Sequence, residues 1–518
     1  MAIGRRINET KSQSWARHSQ TQLRHKKDPV SDSDAFCLSE PERFPQLLGR
    51  LQVSGHRLND LQHSAYPSSR YEIRCYAPGA HGEVHSLSFE ELVAAQQRPF
   101  QSELRLTLQA QPSQPRAEGQ ILPMLAPKDH SLQLDSMDIG YDGTSASRVF
   151  LKQLSQIGVV EEFQVRALVD HSEMAKVEQF LFDGGYSNYQ LHPSSRPGSW
   201  PEDYSEPLLQ GGRVVPAPFE VKGKSLSEVL SETRRARYEP LGLSSDFTAQ
   251  GAVDRGGYQK QGQIQGYLYG EKVYQAQSYV EGGNLISGLR ADGTPYVLIG
   301  QDSMELSRAL LTEKLGRPAS DDELKQSLAA DYGVLPGQVF GVEQPAEFHL
   351  DMRMTPVAPG VMALQDSKLA AQMQAAWIRE EMGSQLTPAQ NERIEAMILK
   401  AETAAQYEAL TRRDLEKAGI KVIPLAGVFR NLDDQVSDGA NFFNARHGTN
   451  ASGEKYTVMM GGTARQEAYI AEQLLGHHGL PIDRLYFLDP EQNRETLPKH
   501  GGLKCRTKPH GQLASNQL

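Results

Sequence analysis

Two short segments carry side chains that can act as an acid/base and as a nucleophile. In FHLDMRM, His349 and Asp351 are two residues apart. On an extended strand such residues project from the same face, so an imidazole that moves protons and a carboxylate that holds a cation would point at one ligand. In GGLKCRT, Cys505 follows paired glycines and lies between Lys504 and Arg506. Neighbouring cations favour a thiolate, so Cys505 is the candidate nucleophile.

Each of these patterns also has an ordinary structural interpretation. A His-x-Asp pair occurs incidentally on half-exposed strands, and an isolated cysteine beside a glycine turn is usually buried and inert. The two patterns therefore gain weight only in combination with others.

Two loops place a carboxylate beside typical turn residues. The first is WPED, with Trp200 and Asp203, and the second is EGGN, with Glu281 and Asn284. A carboxylate next to an aromatic ring can hold a planar cation through paired charge-assisted hydrogen bonds and stacking. Both loops also fit plain turn chemistry. We interpret these four residues as candidate substrate contacts.

The elements around these residues alternate between strands and helices. FQVRALVD (163–170) predicts a buried strand, 172–182 an amphipathic helix, and 189–192 a second strand leading towards Trp200. Ser320 and Glu323 have capping-box spacing before a helix that ends near Tyr332.

The same alternation continues to the end of the chain. It predicts a strand at 338–342, a strand at 456–460, a helix at 463–475 and a strand at 485–488. The sequence thus predicts an α/β fold of several similar modules, with its site in the loops at the strand ends.

Composition divides the rest of the chain. Residues 1–40 are polar without an apolar period and predict a disordered leader. Short alternating segments in 41–125, such as 71–76 and 103–108, predict a small β-rich accessory domain. Residues 126–518 form the predicted catalytic domain, with a pair of helices inserted at 367–417.

Charge and length exclude several classes of protein. The 518 residues carry a net charge of −10, which disfavours nucleic-acid binding and suits a cationic substrate. No apolar run approaches the roughly 18 residues of a membrane span, and the N-terminus lacks the apolar core of a Sec signal. The three cysteines, Cys37, Cys75 and Cys505, are too far apart to indicate a zinc site or a disulfide framework.

Taken together and in this order, the four patterns resemble those of the guanidino-group-modifying superfamily, which contains arginine, agmatine and peptidylarginine deiminases and amidinotransferases. The resemblance covers about residues 130–518. It implies a pentein-like fold, a pseudo-symmetric propeller of five α/β modules around a central site. One departure is Glu202, which stands where agmatine deiminases favour arginine and so weakens an agmatine assignment.

The resemblance also implies a set of roles. Asp203 and Asp351 would hold the terminal nitrogens of a guanidinium, and Cys505 would attack its central carbon. His349 would protonate the departing ammonia and then activate water, which is nucleophilic catalysis with an alternating acid/base. Glu281 would contact the substrate beyond the guanidinium. This chemistry requires neither a metal nor a cofactor.

Several alternatives stay open at this stage. An amidinotransferase would pass the thiol-bound group to an amine, and a binding protein would keep the fold without catalysis. A papain-type protease is disfavoured because its cysteine precedes its histidine. The substrate is free arginine, a derivative, agmatine or protein-bound arginine. The predicted location is the cytoplasm, or export as an effector by a non-Sec route, and the oligomeric state is left open.

Overall fold

A large mixed sheet brings together strands from both ends of the described chain. The computed structural model describes residues 73–79, 83–87, 114–115, 119–194, 200–245, 258–430, 439–496 and 501–514. All of them belong to one compact unit within residues 42–518. The predicted leader at 1–40 and the predicted strand at 103–108 lie outside the described residues.

In chain order the strands are β1 (Arg74–Pro78), β2 (Val84–Leu87), β3 (Gln114–Pro115), β4 (Leu132–Ile139), β5 (Gln164–Val169), β6 (Tyr189–Pro193), β7 (Glu206–Pro207), β8 (Arg213–Val215), β9 (Val273–Gln275), β10 (Leu285–Leu289), β11 (Pro295–Gly300), β12 (Val339–Val342), β13 (Met354–Ala358), β14 (Val361–Gln365), β15 (Lys421–Leu425), β16 (Val428–Phe429), β17 (Ala440–Asn441), β18 (Arg446–Thr449), β19 (Lys455–Met459), β20 (Arg484–Phe487) and β21 (Thr507–Leu513). The helices are α1 (Ser145–Val160), α2 (Met174–Asp183), α3 (Pro201–Tyr204), α4 (Leu226–Tyr238), α5 (Tyr258–Leu268), α6 (Gln301–Leu315), α7 (Asp321–Tyr332), α8 (Ser367–Met382), α9 (Pro388–Lys417), α10 (Ala464–Ala471) and α11 (Pro490–Thr496). Short 3₁₀ turns occupy Glu239–Leu241, Gly282–Asn284, Pro336–Gln338, Leu350–Met352 and Gly383–Gln385, and a π-helical run, Glu472–His477, extends α10.

Among the described residues, one pairing pattern occurs five times. Two antiparallel strands are followed by a helical connection and a third strand, which runs parallel to the second. The five ββαβ units are β21–β4–β5, β7–β8–β9, β10–β11–β12, β13–β14–β15 and β18–β19–β20. A parallel pair needs such a crossover, which explains why apolar strands alternate with amphipathic helices in the sequence.

Two of these units share the nine-stranded sheet. Its order is β2-β1-β20-β19-β18-β4-β5-β6, with β21 also paired to β4. The two units meet where Thr449 pairs with Gln133. The described strands show a mixed α/β fold and no closed sheet. The arrangement of the five units as a propeller stays a prediction.

The sequence-predicted elements are found close to their expected bounds. The predicted strand, helix and strand at 163–192 are β5, α2 and β6, and the capping box at Ser320 forms with both of its hydrogen bonds. The helix pair predicted at 367–417 is α8 and α9, and α9 begins with a capping box at Thr387. Whether this pair is an insertion stays a prediction.

The described part of 41–125 shares sheets with the rest of the chain. Strand β1 pairs with β20 and β2, and β3 pairs with β9. Ile73 and Cys75 are buried in the same apolar cluster as β4 and α1. The domain boundary at 125 stays a prediction, but these segments pack against the main fold.

A pair of buried histidines lies between the strands. The His130 ring contacts the edge of His447, and both rings hydrogen-bond the hydroxyl of Thr457 at 2.9 Å. Burial lowers the pKa of His130 to about 3 and also depresses the pKa of His447. Both rings are therefore neutral in the folded protein, because charging them would place an unpaired cation in the core.

We expect this pair to make the fold sensitive to acid. Below pH 6.5 the unfolded chain binds protons that the folded rings do not, so each histidine removes about 1.4 kcal/mol of stability per pH unit below about pH 6. Burial raises the pKa of Glu467 to about 7, which acts in the opposite direction between about pH 4.5 and 7. A variant with one fewer buried histidine therefore isolates the effect.

Denaturant melts between pH 7.5 and 5 check this expectation. His130→Gln should lose stability with falling pH less steeply than the parent, by about 1.4 kcal/mol per unit. The same substitution at the exposed His171 should leave the parent's slope unchanged. Equal slopes for His130→Gln and the parent would contradict the assignment.

No helix among the described residues combines the length and apolar character needed to cross a membrane.

Candidate active site

The site is assembled from the residues that immediately precede the first strand of each ββαβ unit. Cys505 precedes β21, Asp203 precedes β7, Glu281 precedes β10, and Asp351 precedes β13. The fifth unit contributes Asn444, just before β18, a residue that the sequence patterns did not single out. Because the first strands are equivalent in their units, the segments that enter them can converge on one place.

The candidate nucleophile is a buried thiol whose pKa is influenced by two nearby carboxylates. Cys505 is 3% exposed, and its pKa is raised well above its usual value, first by burial and then by the carboxylates of Asp351 and Asp203. The amide of Asn444 opposes this shift, donating from Nδ2 to Sγ at 3.3 Å. In the absence of a ligand the thiol is therefore protonated.

The prediction that Lys504 and Arg506 favour a thiolate is wrong. The Lys504 ammonium lies 3.3 Å from Asp351 Oδ2 and 3.6 Å from Glu202 Oε1. Arg506 stacks on Phe150 at 4.0 Å and donates to Ser147, facing away from the thiol. Sequence adjacency misled here because the tight turn at 503–506 sends successive side chains into different buried surroundings.

His349 is held by a carboxylate. Its Nε2 lies 2.7 Å from Glu281 Oε2, and Glu281 Oε1 accepts a hydrogen bond of 3.0 Å from the hydroxyl of Tyr279. Its Nδ1 is 3.8 Å from Asp203 Oδ1. An acid/base imidazole oriented by a carboxylate is a common catalytic arrangement. These contacts give Glu281 a position beside the imidazole, and its predicted contact with the substrate stays a prediction.

The local geometry of His349 and Asp351 also differs from the prediction. They were expected on an extended strand, but Leu350–Met352 form a 3₁₀ turn that His349 precedes, and β13 starts only at Met354. The buried Leu350 fixes the turn by packing into the core. The turn still directs both side chains to the site, because His349 reaches Asp203 and the charge of Asp351 acts on Cys505.

Asp203 and Asp351 are buried carboxylates with different surroundings. Asp203 accepts a hydrogen bond of 3.3 Å from the Gly283 amide. Asp351 is fully buried, and within the described chain neither of its oxygens accepts a hydrogen bond; its charged neighbour is Lys504. A buried carboxylate without hydrogen bonds is costly, so it indicates a place where a ligand donates.

Beneath the site lies a buried charge cluster, formed by Glu202, Glu206, Lys128, Lys504, Lys508 and Arg446. Glu202 contacts Lys128 at 2.7 Å, Arg446 at 2.5 Å and Lys508 at 2.8 Å. Burial alone would raise the pKa of Glu202, but these cations hold it well below its usual value. The four cations exceed the two carboxylates of the cluster by two charges, which matches Asp203 and Asp351, the two site carboxylates that raise the thiol pKa.

The two remaining predicted residues support the site's framework. Asn284 accepts from Gln344 at 3.0 Å and donates to the Phe348 carbonyl at 3.1 Å, so its amide holds the segment that leads to His349. The half-buried Trp200 lies against Gly501, where a side chain would come closer than 3.0 Å to the indole. Their predicted contact with substrate stays a prediction.

We expect Gly283→Ala to disable the site while sparing the fold. An added methyl group would lie closer than 3.0 Å to the imidazole of His349 and would displace it. Displacement of a catalytic group by about 1 Å costs on the order of 10²-fold in rate. The control is Gly337→Ala, where nothing lies within 4 Å of the added methyl group. Activity assays and thermal melts of both variants check this, and parental activity in Gly283→Ala would contradict the placement of His349.

A cavity of about 300 Å³ opens elsewhere, between α6, α7, β12 and α9. Its lining includes Arg308 and Asp321, which pair with each other at 2.7 Å, and it includes none of the predicted site residues. In the part of the chain that the structure describes, no group of three or more His, Cys, Asp or Glu side chains is placed to hold a metal ion.

No family model and no curated protein matches the sequence. Among solved structures, the chain is similar to an agmatine deiminase from C. jejuni, with 11% identity, coverage of 75% of this chain and 97% of that one, and a TM-score of 0.44. It is also similar to a dimethylarginine dimethylaminohydrolase from Pseudomonas aeruginosa in complex with citrulline (10% identity, 73% and 99% coverage, TM-score 0.32). A third is an amidinotransferase of the saxitoxin pathway from Microseira wollei (10%, 76% and 99%, TM-score 0.33).

These three neighbours are members of the guanidino-group-modifying superfamily, the one that the sequence motifs resemble. Since the TM-scores lie below 0.5, the activity has to be inferred from the site itself.

Proposed function

We propose that the protein is a cysteine-dependent hydrolase of guanidinium groups, a deiminase. The observation that carries this proposal is the convergence of two buried carboxylates on one buried thiol, beside a histidine held by a third carboxylate. We further infer that the five ββαβ units surround this site as a propeller, since each contributes the residue that precedes its first strand.

The charge of the site selects the kind of substrate. Asp351 and Asp203 both raise the pKa of Cys505, so both act electrostatically on the sulfur. Neither oxygen of Asp351 accepts a hydrogen bond in the described chain, although the Lys504 ammonium lies 3.3 Å from one of them. A guanidinium is planar and carries five donors, and it binds carboxylates through paired hydrogen bonds. Such a cation would satisfy both carboxylates with its central carbon beside the sulfur.

The same electrostatics activate the nucleophile when a substrate binds. A bound cation offsets the charge of the two carboxylates and thereby lowers the thiol pKa that they raise. The thiolate then forms only when its target is in place. This coupling protects the cysteine from neutral electrophiles in the empty site.

The reaction proceeds in two balanced steps. His349 takes the proton of the Cys505 thiol as the sulfur bonds to the guanidinium carbon, and passes that proton to the departing nitrogen, which leaves as ammonia. His349 then takes a proton from water, whose oxygen bonds to the same carbon, and returns this proton to the sulfur as the carbon–sulfur bond breaks. The new hydroxyl group on that carbon gives its proton to the released ammonia, so the products are a ureido group, an ammonium ion and the free thiol. Glu281 keeps the imidazole in position and stabilises its charged form.

Product analysis tests this proposal. Ureido product and ammonia are measured from free arginine, agmatine and an arginine-containing protein, with Cys505→Ala in parallel. Cysteine-dependent release of both products from any of them supports a deiminase and names its substrate. If an amine acceptor instead receives the amidino group, the protein is an amidinotransferase. If the folded protein forms no product from any of the three substrates, with or without an amine acceptor, the proposal is wrong.

Arginine, free or within a protein, is the substrate we propose, since Glu202 replaces the arginine favoured by agmatine deiminases. The residues that would direct export lie in the leader, outside the described residues, so the location stays a prediction.

A further inference from the structure

The fifth ββαβ unit supplies a residue to the site that has no assigned role. Four units contribute Cys505, Asp203, Glu281 and Asp351 from the segments before their first strands. In the unit β18–β19–β20 the equivalent segment is NFFNA, and Asn444 stands two residues before β18. It is fully buried, as is Asn441 in the same segment.

Asn444 contacts the nucleophile loop at three points. Its Nδ2 donates to Cys505 Sγ at 3.3 Å, its Oδ1 accepts from the Cys505 amide at 3.0 Å, and its backbone carbonyl accepts from the Lys504 amide at 3.2 Å. The side chain therefore forms hydrogen bonds with both the sulfur and the backbone amide of Cys505. This fixes the rotation of the amide: the oxygen faces the N–H group, so the NH₂ must face the sulfur.

The same NH₂ group ties the nucleophile to the carboxylate that faces it. Nδ2 also donates to the carbonyl of Asp351 at 3.3 Å. With its two N–H groups, the amide can reach the sulfur and the Asp351 turn together. Asn444 thus sets the spacing between the attacking atom and the carboxylate proposed to hold the substrate.

The second glycine of the nucleophile loop is explained by this contact. A side chain at Gly502 would come closer than 3.0 Å to the Asn444 side chain. The loop can approach the amide only because this position is a glycine. Gly502 therefore gives Asn444 access to the thiol.

We infer that Asn444 is a residue of the catalytic machinery, a side-chain hydrogen-bond donor that stabilises the Cys505 thiolate and aligns it with Asp351. Burial and two carboxylates raise the pKa of the thiol, and hydrogen bonds from the Gly502 backbone and from the Asn444 side chain lower it in return. A donor aimed at sulfur favours the charged form, since a thiolate accepts hydrogen bonds more strongly than a thiol. The inference rests on the proposed function only in taking Cys505 as the nucleophile.

The test is the pH dependence of Cys505 alkylation by iodoacetamide, read by mass spectrometry of the peptide that contains it. Asn444→Leu keeps the side chain's approximate shape and removes both hydrogen-bonding groups. We expect its alkylation midpoint to lie at least about one pH unit above the parent's, with a rate about tenfold lower below that midpoint. Because alkylation needs no turnover, a failed deiminase assay would leave this result intact.

Asn188→Leu is the matched control. Asn188 is equally buried, and its amide donates to the carbonyls of Ser155 and Phe163 at 3.0 Å and 3.2 Å, away from both the thiol and Asn444. The rate of alkylation of this control should stay within about twofold of the parent's at each pH. A shift of the alkylation midpoint in both variants would indicate general loosening and overturn the inference. An unchanged midpoint in folded Asn444→Leu would overturn it as well. If leucine prevents folding at either position, Asn444→Ala and Asn188→Ala make the same comparison.

Discussion

Cys505→Ala is expected to abolish turnover, by a factor of about 10⁴ or more, while the protein stays folded. Removal of the nucleophile leaves binding and electrostatics but no covalent path, and losses of this size are typical. The substitution also removes a thiol that is costly to ionise in the empty site, so no charge is left unpaired. Ammonia release and a thermal melt measure the two effects separately.

Cys75→Ala is the matched control for this variant. Cys75 lies on β1, fully buried in the apolar cluster with β4 and α1, and burial raises the pKa of its thiol far above its usual range. Its truncation should cost about 1 kcal/mol of stability and leave the activity of the folded protein unchanged. Full activity of Cys505→Ala, or loss of activity in folded Cys75→Ala, would contradict the assignment of the nucleophile.

The elements of the fold were largely predictable because their signals are local. The strand and helix periods at 163–192 and the capping box at Ser320 depend on neighbouring residues alone, and the structure confirms them. The pairing of β21 with β4 joins Thr507 to Ile139. No local sequence pattern predicts a pairing between strands so far apart in the chain. This pairing is what places Cys505 in the site.

The candidate site was predictable only where residue type and motif coincide. Asp203, His349, Asp351 and Cys505 stand out by their chemistry, and the structure brings them together. Asn444 carries no such mark, because an asparagine in NFFNA also fits a turn. The signal that finds it is positional, since it precedes the first strand of the one unit that lacked a predicted site residue.

The charge cluster beneath the site was hidden for a different reason. Lys128, Lys504, Lys508 and Arg446 look like solvated surface charges in the sequence, yet all four are buried. The free-energy cost of burying a cation is offset only when carboxylates such as Glu202 pair with it in the folded protein. The spacing of charged residues along the sequence does not predict these ion pairs.

Asp351→Asn is expected to move two measurements in opposite directions. Turnover should fall, because removing one partner of a buried charge pair costs about 3–5 kcal/mol, roughly 10²- to 5 × 10³-fold in kcat/KM. Reaction of Cys505 with neutral iodoacetamide should instead become faster near neutral pH, because a carboxylate that raises the thiol pKa is gone. A loosened fold would also expose the buried thiol and speed its alkylation, so the reversal is assigned to Asp351 only if a destabilised control variant does not show it.

A cationic electrophile and a matched variant complete the Asp351→Asn experiment. 2-Chloroacetamidine carries a guanidinium-like charge, so the parent should react with it faster than with iodoacetamide, and Asp351→Asn should lose that preference. Asp129→Asn is the control, since Asp129 is equally buried but accepts from the amides of Ser131 and Leu289 at 2.8 Å and 3.0 Å, away from the thiol. Asp129→Asn should lose stability and keep the parent's preference for 2-chloroacetamidine over iodoacetamide. If Asp351→Asn retains the preference for the cation, recognition of a guanidinium by this carboxylate is wrong, whatever the activity of the parent.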